Sequence, residues 1–306
     1  MAHTSTSIEG NLLKEYQVKK IAEGEKVLAE ANEIREVENY LTALRRIDTF
    51  SDADKTFAAK EIVEIHKVVM NDLVEKEKLG KFRKVPVYIV NILPNDKEKL
   101  VYTPPISKQI PKLIDDLLFW LKENQQIHPI IRAGLFHYQF ETIHPFTDGN
   151  GRTGRLMTLL HLYRSGWDFK KVLVLEDYYN RDRKKYYESL QTGKTYLSRN
   201  KANLTNWIEY YVDGFLDEAI RVKEQILNLS VIEKIDDKIN ILGEDELKIV
   251  DFVITMGKIT SADVADILHL PKRTAQSKLK RLEEIKVLKK KGAGPATYYS
   301  LFRQSP

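Results

Sequence analysis

The spacing of apolar residues predicts a mainly helical protein. From Ile110 to Leu121, isoleucines and leucines recur at intervals of three and four, so they lie on one face of a helix. Residues 27–47 and 203–229 repeat this periodicity, and long amphipathic helices are predicted for both ranges. The predicted fold class is therefore all-α over most of the chain.

One stretch departs from the helical pattern. Residues 85–102 contain two β-rich segments on either side of Pro94-Asn95-Asp96, a turn-forming tripeptide, and they predict a β-hairpin. A single hairpin on a helical body is more typical of a lid or a docking edge than of a core sheet.

The C-terminal part follows a different order, with three short helical segments and then two short strands around a Gly-Pro turn. This order resembles a winged helix-turn-helix domain. A boundary is predicted near Leu242-Gly243. The chain is thus expected to comprise an N-terminal helical region at 1–50, a helical core at 51–228, a linker helix at 229–242 and a winged-helix domain at 243–306.

Composition narrows the class of protein. A chain of 306 residues can bury a substantial core, and the absence of cysteine excludes disulfides, thiolate nucleophiles and cysteine-based zinc sites. There is no apolar run near the ~20 residues that a membrane-spanning helix needs, and the N-terminus lacks a signal-peptide pattern. We therefore expect a soluble, cytoplasmic protein that does not bind membranes.

Positive charge is concentrated near the C-terminus. The formal net charge is +5, and residues 243–306 supply +4 of it, from 12 basic and 8 acidic side chains. The basic residues of the third predicted helix and of the wing could meet phosphates or bases: Lys272, Arg273, Lys278, Lys280, Arg281, Lys289, Lys290 and Lys291. A protein-binding or dimer-packing domain would carry the same charges, so DNA, another protein and a homodimer partner all stay open.

The densest group of chemically active side chains is the stretch HPFTDGNGRTGR, residues 144–155. It leads into a strongly helical run, so its loop should lie at a helix N-terminus, where free N–H groups and the helix dipole attract anions. Gly149, Gly151 and Gly154 permit positive φ and close backbone approach, so that consecutive amides can surround a phosphate.

Charged side chains complete this predicted anion site. Arg152 and Arg155 lie three residues apart on the first helical turn and offer forked donors to phosphate oxygens. Asp148 is a hard oxygen ligand suited to Mg²⁺. His144 has an ordinary pKa of about 6.5, which suits a general base near neutral pH.

These twelve residues match the signature of the Fic family, His-x-Phe-x-Asp/Glu-Gly-Asn-Gly-Arg-x-x-Arg, at every fixed position. The resemblance continues through "FRKVPVYI", "RKKYYESL" and "NWIEYYVDGFL" and covers roughly residues 36–216. It implies a Fic helical bundle with the hairpin as its flap, in which residues 51–228 are the catalytic core. It also implies transfer of AMP from ATP to a Ser, Thr or Tyr hydroxyl of a target protein.

The resemblance assigns a role to each motif residue. His144 would deprotonate the target hydroxyl, and Asp148 would hold Mg²⁺. Asn150 and the glycine amides would hold the α-phosphate. Arg152 and Arg155 would bind the outer phosphates, and pyrophosphate would leave.

The flap and the adenine pocket are assigned in the same way. The edge of the hairpin would pair with a segment of the target protein as an added strand. Val87 and Ile89 would cover the adenine, and Tyr187 matches a tyrosine that lines the adenine pocket. A core aromatic in an amphipathic helix would give the same sequence pattern at Tyr187.

The first ten residues, MAHTSTSIEG, would ordinarily be interpreted as a disordered tail. Ser5, Glu9 and Gly10 nevertheless fit the Ser/Thr-x-x-x-Glu-Gly/Asn inhibitory motif of part of the Fic family. The resemblance implies that Glu9 pairs with Arg155 and keeps the γ-phosphate from its productive position. In some relatives the same glutamate supports removal of AMP, so this reverse activity stays open, as does another nucleotide donor.

Two other classes of function are compatible with the sequence. The first is a DNA-binding regulator whose Fic part senses a nucleotide. The second is a metal hydrolase, because His137, Glu141 and His144 recur at intervals of four and three on a helical face and could form a ligand set.

Overall fold

The computed structural model describes residues 1–51, 57–92, 97–167, 172–233 and 242–302. The chain forms two compact units, Met1–Glu218 and Ala219–Pro306. Among the described residues, no helix combines the length and the apolar character needed to cross a membrane.

The first unit is helical with one hairpin. Its elements are α1 (Ala2–Ile8), α2 (Glu15–Ala22), α3 (Ala31–Ser51), α4 (Ala59–Val69), β1 (Ile89–Ile92), β2 (Glu98–Tyr102), α5 (Ile110–Glu123), α6 (Pro129–Ile143), α7 (Asn150–Arg164), α8 (Leu175–Arg181), α9 (Arg183–Ser189) and α10 (Tyr196–Arg199). A further helix, α11 (Thr205–Glu233), begins in this unit and continues past residue 218.

The core of this unit surrounds α7. Helices α3, α4 and α6 all pack against α7. The predicted apolar face of α5 is buried here, with Ile110 and Ile114 fully inaccessible. The core also contains Val37, Tyr40, Ala43, Ile47, Ile62, Ile65, Phe136, Phe140, Ile143, Phe146, Leu156, Met157 and Leu160. Because α7 is surrounded, the polar residues at its N-terminal end are buried along with its apolar ones.

Two predicted boundaries in this unit are corrected. Helix α3 covers 31–51 rather than 27–47, and its first turn starts where the Ile34 N–H donates to the Glu30 carbonyl. The hairpin strands pair antiparallel, but β1 begins at Ile89 rather than at 85, and Pro86, which has no N–H to donate, precedes it. The predicted turn at residues 94–96 lies outside the described residues.

Beyond the end of α11, the described residues of the second unit form three helices and a hairpin. They are α12 (Glu244–Met256), α13 (Ser261–Leu268), α14 (Lys272–Glu284), β3 (Leu288–Lys291) and β4 (Tyr298–Leu301). The two strands pair antiparallel, and an isolated bridge joins Ile259 to Tyr299. Apolar residues from all five elements share one core. The predicted order of elements is therefore present, while the winged-helix assignment stays a prediction.

The predicted four-part division also stays a prediction. Helix α11 runs through residue 228 without a break. Most of the predicted linker helix, residues 234–241, lies outside the described residues.

Candidate active site

The loop between α6 and α7 begins with a strained backbone. Helix α6 ends at His144, which has φ 50° and ψ 63°, a left-handed conformation that a non-glycine residue adopts only when its surroundings hold it. Pro145 follows and cannot continue the helix. Arg83 holds this turn, because its Nε donates to the His144 carbonyl at 2.8 Å and its backbone N–H donates to the Pro145 carbonyl at 2.9 Å.

The Asn150 side chain closes the loop. Its Oδ1 accepts from the Phe146 N–H at 2.8 Å, and its Nδ2 donates to the Phe146 carbonyl at 3.0 Å. The Phe146 ring is fully buried and stacks on His66 with 3.7 Å between ring centroids. The ring of His66 also bonds to the Asp148 carbonyl at 3.0 Å. The loop is thus fixed at both ends before any ligand binds.

The three glycines differ in what they provide, and only one of them uses the positive φ that glycine permits. Only Gly149, the N-cap of α7, has positive φ, at 75°. Gly151 and Gly154 lie inside α7, where their role is the absence of a side chain. A Cβ on Gly151 would collide with the Glu9 carboxylate, and one on Gly154 would stand 2.7 Å from Oε1 of Glu141.

The two motif arginines have different partners. Arg152 pairs with Glu36 at 2.7 Å and lies 3.4 Å from the Asp148 carboxylate. Arg155 is only 4% exposed and donates from Nε to Ser5 Oγ at 2.8 Å. Its Nη2 reaches Oε1 of Glu9 at 2.8 Å, so Glu9 and Arg155 form an ion pair.

The first ten residues are ordered, which overturns the alternative of a disordered tail. Ser5, Thr6 and Ile8 of α1 are buried against the rest of the unit. The Arg183 guanidinium donates to the Ser7 carbonyl at 2.6 Å. After Gly10, the Asn11 amide donates to Glu36 at 2.8 Å, so the carboxylate that binds Arg152 also fixes the end of this segment.

Burial and charge set the ionisation of the site. Burial disfavours the Glu9 carboxylate, but Arg155 and Arg152 outweigh it and hold the pKa of Glu9 below its ordinary value. Burial lowers the pKa of His144 to about 4, so its ring is neutral near pH 7. The buried Nδ1 of His144 has no hydrogen-bond partner among the described residues.

A cavity of about 510 Å³ opens between the flap, α7 and α9. It is lined by Glu9, Tyr88, Ile89, Val90, Asn91, Val101, Glu141, His144, Gly151, Arg155, Tyr186, Tyr187, Leu190, Gln191 and Arg199. Ile89 and Tyr187 are among the lining residues, and the Tyr187 side chain is 47% exposed, unlike a core aromatic; their contact with adenine stays a prediction. Val87 is not among the lining residues, and its neighbour Tyr88 is.

The metal-hydrolase hypothesis is wrong for the described residues. These residues contain no group of three His, Asp or Glu side chains that could hold a metal ion. Both ring nitrogens of His137 are engaged, with Thr158 at 3.2 Å and Tyr186 at 2.8 Å. His137 is therefore a structural histidine beneath the cavity.

Comparison with known proteins agrees with the motif. Residues 56–162, about a third of the chain, match the model described as the Fic/DOC family, so the chain contains a Fic/DOC domain. A crystal structure of a Fic family protein from Desulfovibrio desulfuricans G20 superposes with a TM-score of 0.61 over 100% of this chain and 86% of that protein, at 27% identity. The predicted mainly helical Fic fold is thereby confirmed.

Curated relatives carry the name of an enzyme. The chain is 29% identical over 217 residues to the protein adenylyltransferase Fic of Aedes aegypti, which covers 68% of this chain and 38% of that protein. It is 31% identical over 197 residues to the protein adenylyltransferase fic-1 of Caenorhabditis elegans, which covers 62% of this chain and 35% of that protein. The chain thus spans less than two fifths of the length of these relatives.

Proposed function

We propose that the chain is a protein adenylyltransferase that transfers AMP from ATP to a Ser, Thr or Tyr hydroxyl of a target protein. The observation that carries the proposal is that three motif residues meet at one cavity. His144, Gly151 and Arg155 line this cavity of about 510 Å³, which is large enough for a nucleotide. The names of the curated relatives support the same activity.

His144 acts as the general base. Its ring is neutral near pH 7 because burial lowers its pKa, and it lines the cavity. It takes the proton of the target hydroxyl while the hydroxyl oxygen forms a bond to the α-phosphorus of ATP. The bond from the α-phosphorus to the bridging oxygen breaks, and pyrophosphate leaves. General-base assistance of this kind contributes a factor of roughly 10²–10⁴ in rate.

The N-terminus of α7 and the motif arginines bind the phosphates. Free N–H groups at this helix end favour the α-phosphate. Arg155 binds the outer phosphates once it is free of Glu9, and Arg152 joins it once it is free of Glu36. The Asp148 side chain is 61% exposed beside Arg152 and fits a Mg²⁺ site, since Mg²⁺ binds through one or two carboxylates with phosphates and water. When bound, Mg²⁺ neutralises phosphate charge.

The flap receives the target protein. Among the described residues, strands β1 and β2 form a sheet of two strands, so each strand has an outer edge, and exposed side chains such as Asn91 and Lys99 flank them. An extended segment of the target can add to such an edge through main-chain hydrogen bonds, which brings its hydroxyl to the cavity. We place this activity in the cytoplasm.

Glu9 acts as a brake. Its carboxylate pairs with the Arg155 guanidinium, which the outer phosphates need. It also lies against Gly151 at the N-terminus of α7. Helix α1 has only seven residues, and a helix this short is stable only when docked, so release of the brake is feasible.

The test uses ATP labelled at the α-phosphate, with Mg²⁺ and cell lysate as a source of targets. We expect weak labelling of protein by the wild type, stronger labelling by Glu9→Gly and none by Glu9→Gly/His144→Ala. Matched controls are Glu23→Gly, at an exposed position after α2, and His128→Ala, at the other end of α6; neither should change labelling. The absence of label from every folded variant would disprove the proposal.

A DNA-binding regulator that senses a nucleotide is the second candidate. The exposed Lys289, Lys290 and Lys291 along β3 favour an acidic partner, as expected for the wing of a winged-helix domain. Two basic side chains of α14 are already paired, Lys278 with Asp245 at 3.0 Å and Arg281 with Glu246 at 3.2 Å, which weakens this reading. Specific duplex binding without ATP turnover would favour it.

A further inference from the structure

Glu141 is a carboxylic acid in the cavity without a partner. It lies on α6, one turn before His144, and lines the same cavity. Its Oε1 is buried and has no hydrogen-bond partner among the residues that the structure describes. A buried polar group is almost always hydrogen-bonded, because leaving it unpaired costs the free energy of removing it from water. The unpaired Oε1 therefore points to a hydrogen-bond partner supplied by a ligand.

The neighbouring helix makes room for this carboxyl group. A Cβ on Gly154 would stand 2.7 Å from Glu141 Oε1 and 2.9 Å from the Phe140 ring. Gly154 lies inside α7 without positive φ, where glycine is otherwise disfavoured relative to alanine. The glycine is thus explained by the space that Glu141 and Phe140 need and not by the backbone conformation.

The surrounding cations do not neutralise Glu141. Arg155 is bonded to Ser5 and Glu9. Arg199 donates to the Gly193 carbonyl and to Gln191, and its guanidinium stacks on the Tyr102 ring at 3.5 Å. Both arginines oppose the effect of burial, and Glu9 reinforces it, with the result that the pKa of Glu141 is raised to about 7. Near neutral pH the group is therefore able to accept or donate a hydrogen bond.

The position of Glu141 selects the part of the ligand that it meets. Phosphates carry negative charge and are served by the α7 N-terminus and Arg155, whereas a carboxylate would repel them. The same cavity is also lined by the flap residues Tyr88 and Ile89 and the α9 residue Tyr187, whose apolar and aromatic surface suits a base.

We propose that the Glu141 carboxyl group binds a hydrogen-bond donor on the nucleoside part of the nucleotide, either a sugar hydroxyl or the exocyclic amine of the base, and thereby determines which nucleotide the cavity accepts. The inference rests on the proposed nucleotide site. It adds a specificity residue outside the twelve-residue motif.

The experiment measures nucleotide affinity directly by titration calorimetry, in the Glu9→Gly background. The probes are ATP, 2′-deoxy-ATP, 3′-deoxy-ATP and purine riboside triphosphate, which lacks the exocyclic amine. We expect one analogue to bind roughly 10–100-fold more weakly than ATP, the range for loss of a hydrogen bond to a charged group. Adding Glu141→Ala should weaken ATP binding by a similar factor. The affinities for ATP and for that analogue should then agree within about twofold.

Two further variants distinguish loss of the contact between Glu141 and the nucleotide from a general loss of folding. Gly154→Ala keeps the carboxyl group but displaces it, so it should reduce the same discrimination. Glu123→Ala, at the exposed end of α5, is the matched control and should leave it unchanged. Equal affinity for all four probes before Glu141 is changed, or discrimination that survives Glu141→Ala, would overturn the inference.

Labelling of protein with AMP is measured on the same samples. If the difference in affinity between ATP and the analogue depends on Glu141 but no protein is labelled, only the transferase proposal would be disproved. If protein is labelled but Glu141→Ala leaves the difference in affinity between ATP and the analogue unchanged, only the role of Glu141 would be disproved.

Discussion

At the scale of single residues, burial dominates the ionisation of the first unit. Burial lowers the pKa of His66, His144 and His161 to about 4 and that of His137 to about 3. It raises the pKa of Glu141 to about 7. Near neutral pH, the four imidazoles are therefore neutral in the folded protein. The Glu141 carboxyl group is protonated in part of the molecules.

These shifts predict loss of stability in mild acid. Each of these histidines binds a proton more readily in the unfolded chain. Its contribution to the stability of the folded state is therefore complete above about pH 6.5 and is lost as pH falls towards 4. Glu141 has the opposite sign, since its raised pKa favours the folded state as pH falls from about 7 to 4.5. At most about 2 kcal/mol is lost per histidine between pH 7 and pH 5, against a similar gain from Glu141, so four losses outweigh one gain.

Urea denaturation near pH 7, 6 and 5 measures this effect. We expect the free energy of unfolding to fall by several kcal/mol over the range, and to fall more steeply in Glu141→Gln, which lacks the opposing group. Equal urea midpoints at the three pH values would show that the buried histidines do not control acid stability.

The residues that could be predicted are those with a local signature. The motif residues are consecutive, so their spacing and resemblance located His144, Asp148 and Arg155 directly. Glu36 binds Arg152 from 116 positions away and carries no signature of its own. Arg199 and Tyr88 were missed for the same reason, because only the folded chain brings α10 and the flap to the cavity.

At the scale of elements, α1 is held by side chains from distant parts of the chain. Arg155 and Arg183 both donate to its carbonyl groups. The segment then turns sharply at Gly10, whose φ of 106° suits glycine alone. The orientation of Glu9 towards Arg155 therefore depends on the conformation of the next residue.

Gly10→Ala is expected to weaken the brake without altering the catalytic residues. A Cβ at this position would meet nothing within 4 Å, so the cost comes from the backbone alone. A cost of about 1–2 kcal/mol would raise the released fraction, and with it the rate of AMP transfer, by roughly 5–30-fold. Labelling with α-labelled ATP measures the change.

Gly24→Ala is the matched control for this substitution. Gly24 also has positive φ, at 81°, and open space around its Cβ, but it lies after α2 and does not line the cavity. Its substitution should cost similar strain and leave transfer unchanged. Equal effects of the two substitutions would show that general destabilisation, and not release of Glu9, accounts for the gain.

Elements were predictable where one periodicity ran over several turns. The buried face of α5 follows directly from its sequence. The start of β1 was not predictable in this way, because Val85 and Val87 favour a strand. Pro86 lies between them, and the preceding Arg83 bonds to the loop that follows α6. Tertiary contacts thus overrode local preference at the edge of the flap.

At the scale of the whole molecule, the candidate site belongs to one of the two units. Every residue that lines the cavity lies within Met1–Glu218, as do α1 and the residues that hold it. The second unit has a separate apolar core, formed by residues of α12, α13, α14 and the β3–β4 hairpin. Nucleotide binding should therefore need only the first unit together with the whole of α11.

A chain shortened to residues 1–233 tests this. It keeps α11 to its last described residue and removes the second core entirely. In the Glu9→Gly background we expect the same affinity for ATP, within about threefold, because no cavity contact is lost. If the shortened chain remains helical by circular dichroism but binds ATP tenfold more weakly, residues beyond 233 contribute to the site, and the prediction that the first unit and α11 suffice would be wrong.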